Sequence, residues 1–290
     1  MNDLTTGLTW DADATASIRT LHEPIVIIAF EGLFDAAQSA TSAVKHLRRA
    51  GNAVTLAHID PEEYFDFTEQ RPLVSLDSND KRVITWPRTS CFGIRTEGDQ
   101  PDMVLIVGIE PHLRWRSFAA TITTITKRTN ASLVVTVGAM VGMAPHTRAL
   151  GVVGSATNET LADRMGLGRP SYQGPTGLIG VLHTSLHDAD IPVISLRVSV
   201  PHYVPAPPNA EATRSLLARL ELVTGITTDH QSLEVAAADW QQRVNEAVAD
   251  EPDMARYVAN LEEQIDAQAE NLLPSGDDLA AELQAWLREQ

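Results

Sequence analysis

The stretch PSYQGPTGLIGVLHTSLHDADIPVISLRVSVPHYV, Pro170 to Val204, decides the reading of this chain. It runs from a glycine-rich loop into a helix, then a buried strand, then a loop carrying His202 and Tyr203. Pro175 suits the first helical position, because its missing N–H would have no intrahelical acceptor there. Val193 to Val200 places Val193, Ile194, Leu196, Val198 and Val200 in one short run and reads as a buried strand. A loop, a helix and such a strand in one unit define an α/β fold, in which polar residues on strand-ending loops form the working surface.

The same grammar recurs upstream. Ile25 to Phe30 reads as a strand buried on both faces, ended by Glu31-Gly32, and Ala36 to Arg49 as the helix after it. Strands follow at Ala53–Ile59, Met103–Ile109, Ser132–Val137, Gly151–Ser155 and Ile191–Val200, with a helix at Phe118–Arg128. Strands alternating with helices predict a three-layer αβα sandwich around a mostly parallel sheet. Between the second and third strands, Arg82–Trp86 and Cys91–Arg95 alternate around Pro87-Arg88-Thr89-Ser90 and read as a protruding hairpin. Its unpaired edges predict a homo-oligomer, with a trimer favoured. Beyond the prolines of Val204 to Pro208, the chain turns helical. Thr228 and Gln231 have capping-box spacing, as do Ser275 and Asp278. Apolar stripes follow at Leu233, Ala237, Trp240 and Val244, at Met254, Tyr257, Val258 and Leu261, and at Leu279, Leu283 and Trp286. The expected organisation is a poorly ordered leader over 1–23, an α/β core over 24–227 with the hairpin near 82–95, and a helical appendage over 228–290. The appendage is predicted to lie as a lid over the carboxyl ends of the strands.

Composition narrows the function. The formal net charge is −16, which repels phosphate backbones and argues against nucleic acid as a partner. Half of that excess lies in residues 251–290, with ten acids against two bases, so the tail is either a solvated face or a surface for a basic partner. One cysteine, Cys91, rules out an intrachain disulfide and fits a reducing, cytoplasmic location. The first residues have neither the basic nor the apolar region of a signal peptide, and no apolar run reaches the ~20 residues of a membrane span.

Motifs that would name a reaction are missing. There is no GxGxxG and no Walker loop, and Ser155 lacks the GxSxG frame of a nucleophile elbow. His183 and His187 are four apart on the helix, without the Glu of HExxH or a third ligand, and read as a solvent-facing pair. The Gly174-x-x-Gly177-x-x-Gly180 run either cradles an anion or permits close helix–strand packing. What the pattern does supply is a set of strand-end residues on one side of the sheet: Glu31, Gly32, Gly108, Glu110, Gly138, His202 and Tyr203. With Tyr172, Gly174 and Thr176 at the start of the helix, they are the candidate ligand-binding residues, suited to a small anionic ligand. No catalytic residue, metal or cofactor is assigned.

The motifs Tyr172-Gln173-Gly174-Pro175-Thr176-Gly177, Asp190-Ile191-Pro192-Val193-Ile194-Ser195-Leu196 and Val200-Pro201-His202-Tyr203 resemble the core of the proteasome assembly chaperone two family. That family shows an aromatic-acid-Gly-Pro-Thr-Gly helix start, a Gly-x-Pro-x-x-Ser-Leu strand and a Val-Pro-His-Tyr loop. Here Gln173 stands where many members have Glu, and Asp190 where they have Gly. Glu31-Gly32, Gly108-x-Glu110-Pro111 and Pro274-Ser275-Gly276-Asp277-Asp278 are similar to the bacterial branch, and the likeness runs from Pro24 to Gln290. It implies a phosphorylase/hydrolase-like sandwich and a protein-interaction or assembly factor. The segment Trp286 to Gln290 lacks the hydrophobic-Tyr-x tail with which relatives dock on proteasome subunits. The alternative is a small-molecule-binding protein or a hydrolase- or phosphorylase-like enzyme, with its pocket at the strand ends under the helical lid.

Overall fold

The structure, a computed structural model, describes residues 7–272, with side chains as far as Ala267. Ten strands and eight α-helices follow one another as β1 (Leu8–Trp10), α1 (Ala14–Arg19), β2 (Ile25–Glu31), α2 (Ser39–Ala50), β3 (Val54–Ile59), β4 (Leu73–Leu76), β5 (Arg82–Thr85), β6 (Thr89–Ile94), β7 (Met103–Ile109), α3 (Trp115–Arg128), β8 (Leu133–Gly142), β9 (Val152–Ala156), α4 (Glu159–Met165), α5 (Leu178–His187), β10 (Val193–Pro201), α6 (Ala210–Thr224), α7 (Glu234–Ala249) and α8 (Pro252–Leu272). Eight strands form one sheet in the order β1-β3-β6-β7-β2-β8-β10-β9. The middle four, β7, β2, β8 and β10, are mutually parallel, and antiparallel strands flank them on both sides. The fold is α/β, with helices on both faces of a mixed sheet.

The apolar runs explain the layering. Val26, Ile27 and Ile28 of β2 are fully buried although they alternate between faces, so each face needs a cover. α2 and α6 supply one cover, packing Ala40, Val44, Leu47, Leu216 and Leu220 with Ile27, Leu105 and Val135. α3 and α5 supply the other, packing Phe118, Ile122, Leu178 and Leu182 with Val26, Ile28 and Ile106. The many threonines of α3 fit this buried position because their hydroxyls bond back along the helix. Thr121, Thr123 and Thr126 donate to the carbonyls of Ser117, Ala119 and Ile122 at 3.0, 2.9 and 2.9 Å.

Several boundaries differ from the sequence reading. Residues 7–23, expected as part of a poorly ordered leader, contain β1 and α1. β1 pairs antiparallel with β3, and Arg128 of α3 stacks on Trp10 at 4.0 Å. α5 starts at Leu178, after Pro175-Thr176-Gly177, so Pro175 lies in the loop rather than in the first turn. Thr228 does not open a capping box. Its N–H and hydroxyl both go to the Glu221 carboxylate of α6, and α7 begins only at Glu234. The helix expected at Ser275 to Leu287 lies outside the described residues.

The hairpin is also differently built. β5 pairs with β4 rather than with β6, in the register Val74↔Ile84. β6 instead joins the main sheet between β3 and β7. Burial is the reason: Phe92 and Ile94 are 5% and 2% exposed and belong to the core, whereas Ile84 is 55% exposed. The turn is made by Asp77, whose carboxylate accepts the N–H groups of Asn79 (2.8 Å) and Lys81 (3.0 Å).

β6 and β7 approach closely at Gly108. A Cβ there would lie 2.7 Å from Thr89 Cα and 2.9 Å from the Arg88 carbonyl oxygen, both backbone atoms that cannot step aside. Gly108→Ala should therefore destabilise the fold by about 1–3 kcal/mol, the usual range for overpacking. Denaturant unfolding measures it, and an unchanged midpoint would contradict the packing argument.

Candidate functional site

The strand-end residues fall into two groups, and β8 runs between them. Strand spacing puts the ends of β2 and β10 about 10 Å apart. Among the described residues, no hydrogen bond or ring contact links one group to the other.

The first group surrounds Glu110, just after β7. Its carboxylate accepts the N–H of Leu33 at 3.4 Å and that of Leu178, the first residue of α5, at 3.4 Å. The negative group therefore sits at the positive end of α5. Gly32, with φ +151°, makes room for it, since a Cβ would come within 2.7 Å of Glu110 Oε2. Glu31, one residue earlier, turns to the opposite face and pairs with Lys45 of α2 at 2.7 Å. Gly138 makes space for the Phe34 backbone and the stem of Arg197, each 3.4 Å from where its Cβ would be.

Asp35 was not singled out by sequence, yet it organises this corner. It bridges to Ala139 of β8, and its carboxylate accepts the N–H groups of Ala40 (2.8 Å) and Thr41 (3.0 Å) and the Thr41 hydroxyl (2.6 Å). Burial pushes its carboxyl above the ordinary range, and the bonds from Thr41 and Ala40 oppose that. Ala37 and Gln38, at φ 51° and 53°, adopt the left-handed conformation between this anchor and α2. Its sequence signal is a helix-capping Asp ahead of Ala40-Thr41, hidden by the irregular turn between them.

The glycine-rich loop folds onto itself. Tyr172 is 74% exposed, and its hydroxyl donates to the Pro175 carbonyl at 3.0 Å. Gly174, at φ +151°, is required because a Cβ would meet that hydroxyl at 2.6 Å. The Thr176 side chain occupies the space that a Cβ on Gly180 would need. Gly174 and Gly180 thus each answer a neighbouring side chain, whereas a Cβ on Gly177 would meet nothing nearer than 3.7 Å.

The second group anchors the appendage. His202 donates from Nδ1 to the Gly142 carbonyl (3.3 Å) and faces the Tyr257 hydroxyl of α8 with Nε2 (3.1 Å). The Tyr203 hydroxyl accepts the backbone N–H of His146 (2.9 Å) and donates to its Nδ1 (2.7 Å), and His146 Nε2 in turn reaches Asn245 Oδ1 of α7 (2.9 Å). The rings of His146, His202, Tyr203 and Tyr257 meet edge to face, with centroids 5.4–6.4 Å apart. Around them Arg148 forks onto Asp266 through bonds of 2.9 and 2.8 Å, and Thr147 bonds Glu262. α7 and α8 therefore cover the ends of β8 and β10, and among the described residues neither helix makes a hydrogen bond to the Glu110 group. His146, Asn245 and Tyr257 carry this contact and were not expected, because they belong to three segments far apart in the chain.

His183 is not solvent-facing with His187. Its Nε2 lies 2.9 Å from Thr136 Oγ1 of β8, and burial, helped by the Arg197 cation, lowers its pKa to about 4. Burial likewise lowers that of His146 and raises that of Tyr203. Cys91 is buried, which pushes its thiol far above the reactive range. Among the described residues, no three His, Cys, Asp or Glu side chains group as a metal site would, and no helix is long and apolar enough to cross a membrane.

An α/β sandwich whose last two parallel strands are capped by a pinned helical pair is a defined architecture. The PAC2 family profile matches residues 29–248, and this chain belongs to that family. It is similar to a PAC2 family protein from Streptomyces avermitilis, with 41% identity, a TM-score of 0.76, and coverage of 81% of this chain and 99% of that one. A proteasome-assembly chaperone homologue from Mycobacterium tuberculosis is 35% identical over the same shares, with a TM-score of 0.74. An archaeal proteasome activator from Pyrococcus furiosus, 14% identical, shares the fold at a TM-score of 0.60, covering 79% of this chain and 94% of that one. None of the curated proteins matches the chain.

Two outcomes are expected. Tyr203→Phe leaves the buried His146 N–H and Nδ1 without their partner, which costs about 1–3 kcal/mol. Limited proteolysis should then cut first between α6 and α8, and an unchanged digestion pattern would show that Tyr203 does not hold the appendage. The second outcome concerns pH. His183 is harder to protonate folded than unfolded, so the unfolded chain gains its proton first as pH falls below 6.5, and stability declines from there toward the folded value of about 4. The slope from this residue reaches at most about 1.4 kcal/mol per pH unit. Denaturation of wild type and His183→Gln between neutral and acid pH should show a flatter dependence in the variant.

Proposed function

We propose that this protein is a protein-interaction and assembly factor and that the β4–β5 hairpin is its docking element. One observation carries the reading. The hairpin projects Leu73, Val74, Leu76, Val83, Ile84 and Trp86, all substantially exposed, in a chain whose other apolar runs are largely buried. Side chains alternate between the two faces of a strand, and Leu73 and Thr85 turn toward a cleft against α2. Val74, Leu76 and Ile84 therefore share the outward face. An apolar face on a two-stranded ribbon with both edges unpaired is suited to strand addition or face-to-face packing by another chain.

The strand-end residues support the same reading from the other side. His202 and Tyr203 hold α7 and α8, and Glu110 caps α5, so these groups have structural partners already. The first partner under this proposal is a second copy, in a small ring such as a trimer. Its wider role follows the Mycobacterium tuberculosis relative, described as a proteasome-assembly chaperone homologue, which makes proteasome subunits the candidate clients. No turnover is assigned.

Light scattering on the full chain at micromolar concentration should give a mass at a multiple of 31.5 kDa. Val74→Asp and Ile84→Asp should lower it to that of one chain, with unchanged circular dichroism because both side chains are exposed. Co-elution with purified proteasome core subunits should be lost in the same variants. A monomeric wild type that also ignores the subunits would refute the proposal.

A further inference from the structure

The cleft at the root of the hairpin has a chemistry opposite to that of the chain. It encloses about 330 Å³ between α2, the hairpin root and the ends of β6 and β7. Four cationic side chains, Lys45, Arg48, Arg71 and Arg88, line it together with one carboxylate, Glu31, which is engaged by Lys45 at 2.7 Å. Arg71 and Arg88 have no ion pair and no side-chain hydrogen bond among the described residues. In a protein with a net charge of −16 and 38 acids, two arginines lining a cleft whose one carboxylate is already paired with Lys45 mark a place suited to an outside anion.

The geometry adds specificity. Arg48 lies over the Phe92 ring at 4.0 Å, a cation–π contact that holds its guanidinium at the cleft. Phe92, Val107 and Gly108 add apolar or side-chain-free surface, and Trp86 contributes to a wall. An adjoining cleft shares Lys45 and Arg48 and adds Arg49, which prolongs the positive surface along the end of α2. Arginines recognise carboxylate and phosphate through paired N–H donors, and the volume matches that of a small metabolite site.

We infer that this cleft binds a small organic polyanion, bearing carboxylate or phosphate groups on an apolar or planar body, through Arg71, Arg88 and Arg48. The site takes in Glu31 and Gly108 of the strand-end residues but none of Glu110, His202 and Tyr203, and it is separate from the outward face of the hairpin. It does not depend on whether the hairpin docks a partner.

The test uses the full chain, with citrate as the carboxylate probe and ATP as the phosphate probe, in isothermal titration at ~0.1 M salt. At least one should bind saturably at one site. Arg71→Ala/Arg88→Ala should weaken it about tenfold or more, since two charge-assisted contacts are lost. A charge-matched control, Arg169→Ala/Arg256→Ala, removes two exposed arginines that pair with Glu159 and Asp253 elsewhere on the surface, and should shift binding less than about twofold, as screened distant charges do. Among the described residues the arginines of the test pair have no ion pair or side-chain hydrogen bond and those of the control only exposed pairs, so an unchanged melting temperature will confirm that both variants are folded. The inference is overturned if neither probe saturates by about 10 mM, the weak end of specific binding. Equal weakening by the two double variants overturns it as well. So does uptake of an oligoglutamate peptide at the cleft by a protein that ignores both small anions, which would make the cleft a dock for an acidic protein segment.

Discussion

The burial of β2 on both of its faces is the constraint on which the rest of the structure depends. Six consecutive residues, Ile25 to Phe30, are all at most 5% exposed. Each such aliphatic side chain contributes about 1.5–3 kcal/mol when fully removed from water. That gain exists only if the strand has a neighbour on each edge for its amides and a helical layer on each side. β7 and β8 meet the first need, and the α2/α6 and α3/α5 layers meet the second. The antiparallel flanks, the N-terminal β1 and the appendage all attach to a centre formed in this way.

A consequence appears where β2 ends. Its ladder to β8 stops at Ile28↔Thr136 and resumes only as the bridge from Asp35 to Ala139. Across that gap the chain must turn and start a helix. Gly32 supplies the conformation, Glu110 the acceptor for Leu33, and Asp35 the cap for α2. On the far side, His202 and Tyr203 work with His146 to seat α7 and α8. In many α/β proteins the carboxyl ends of the strands are left open to a ligand. Here several of their polar groups, Glu110, His202 and Tyr203, complete the architecture, and the less committed chemistry lies on the hairpin and in the basic cleft at its root, where Glu31 and Gly108 meet it.

That displacement follows from how the hairpin attaches. Its strands join no sheet but their own, so their apolar side chains stay exposed among the described residues. Its root nevertheless rests near α2, whose last turn carries Arg48 and Arg49, the charge that suits a helix C-terminus. Arg71 and Arg88 flank the two strands of the hairpin in sequence and bring two more cations to the same place. An apolar ribbon above a basic cleft is the combined result.

Elements whose signal is local could be read directly. The apolar runs of β2 and β7, the helical stripes of α2 and α7 and the family motifs from Tyr172 to Tyr203 all lie within short windows, and burial on two faces leaves its mark in β2 and β7 as a continuous apolar run. Pairing partners could not be read in this way. Arg82–Thr85 and Thr89–Ile94 look alike as short β-prone segments, and only the vacant edge of β7 beside β3 determined that β6 enters the sheet while β5 turns back on β4. Nor could sequence show that His202 would meet Tyr257 and that Tyr203 would meet His146 and, through it, Asn245, because those contacts span 55 to 99 positions and exist only once α7 and α8 are docked. Sequence by itself determined the α/β class, the family and the set of polar strand ends, since each is written in adjacent residues. Tertiary structure alone decided which of those polar groups are bound to one another and which cations face an open cleft, because a side chain's partner is set by the packing of distant elements.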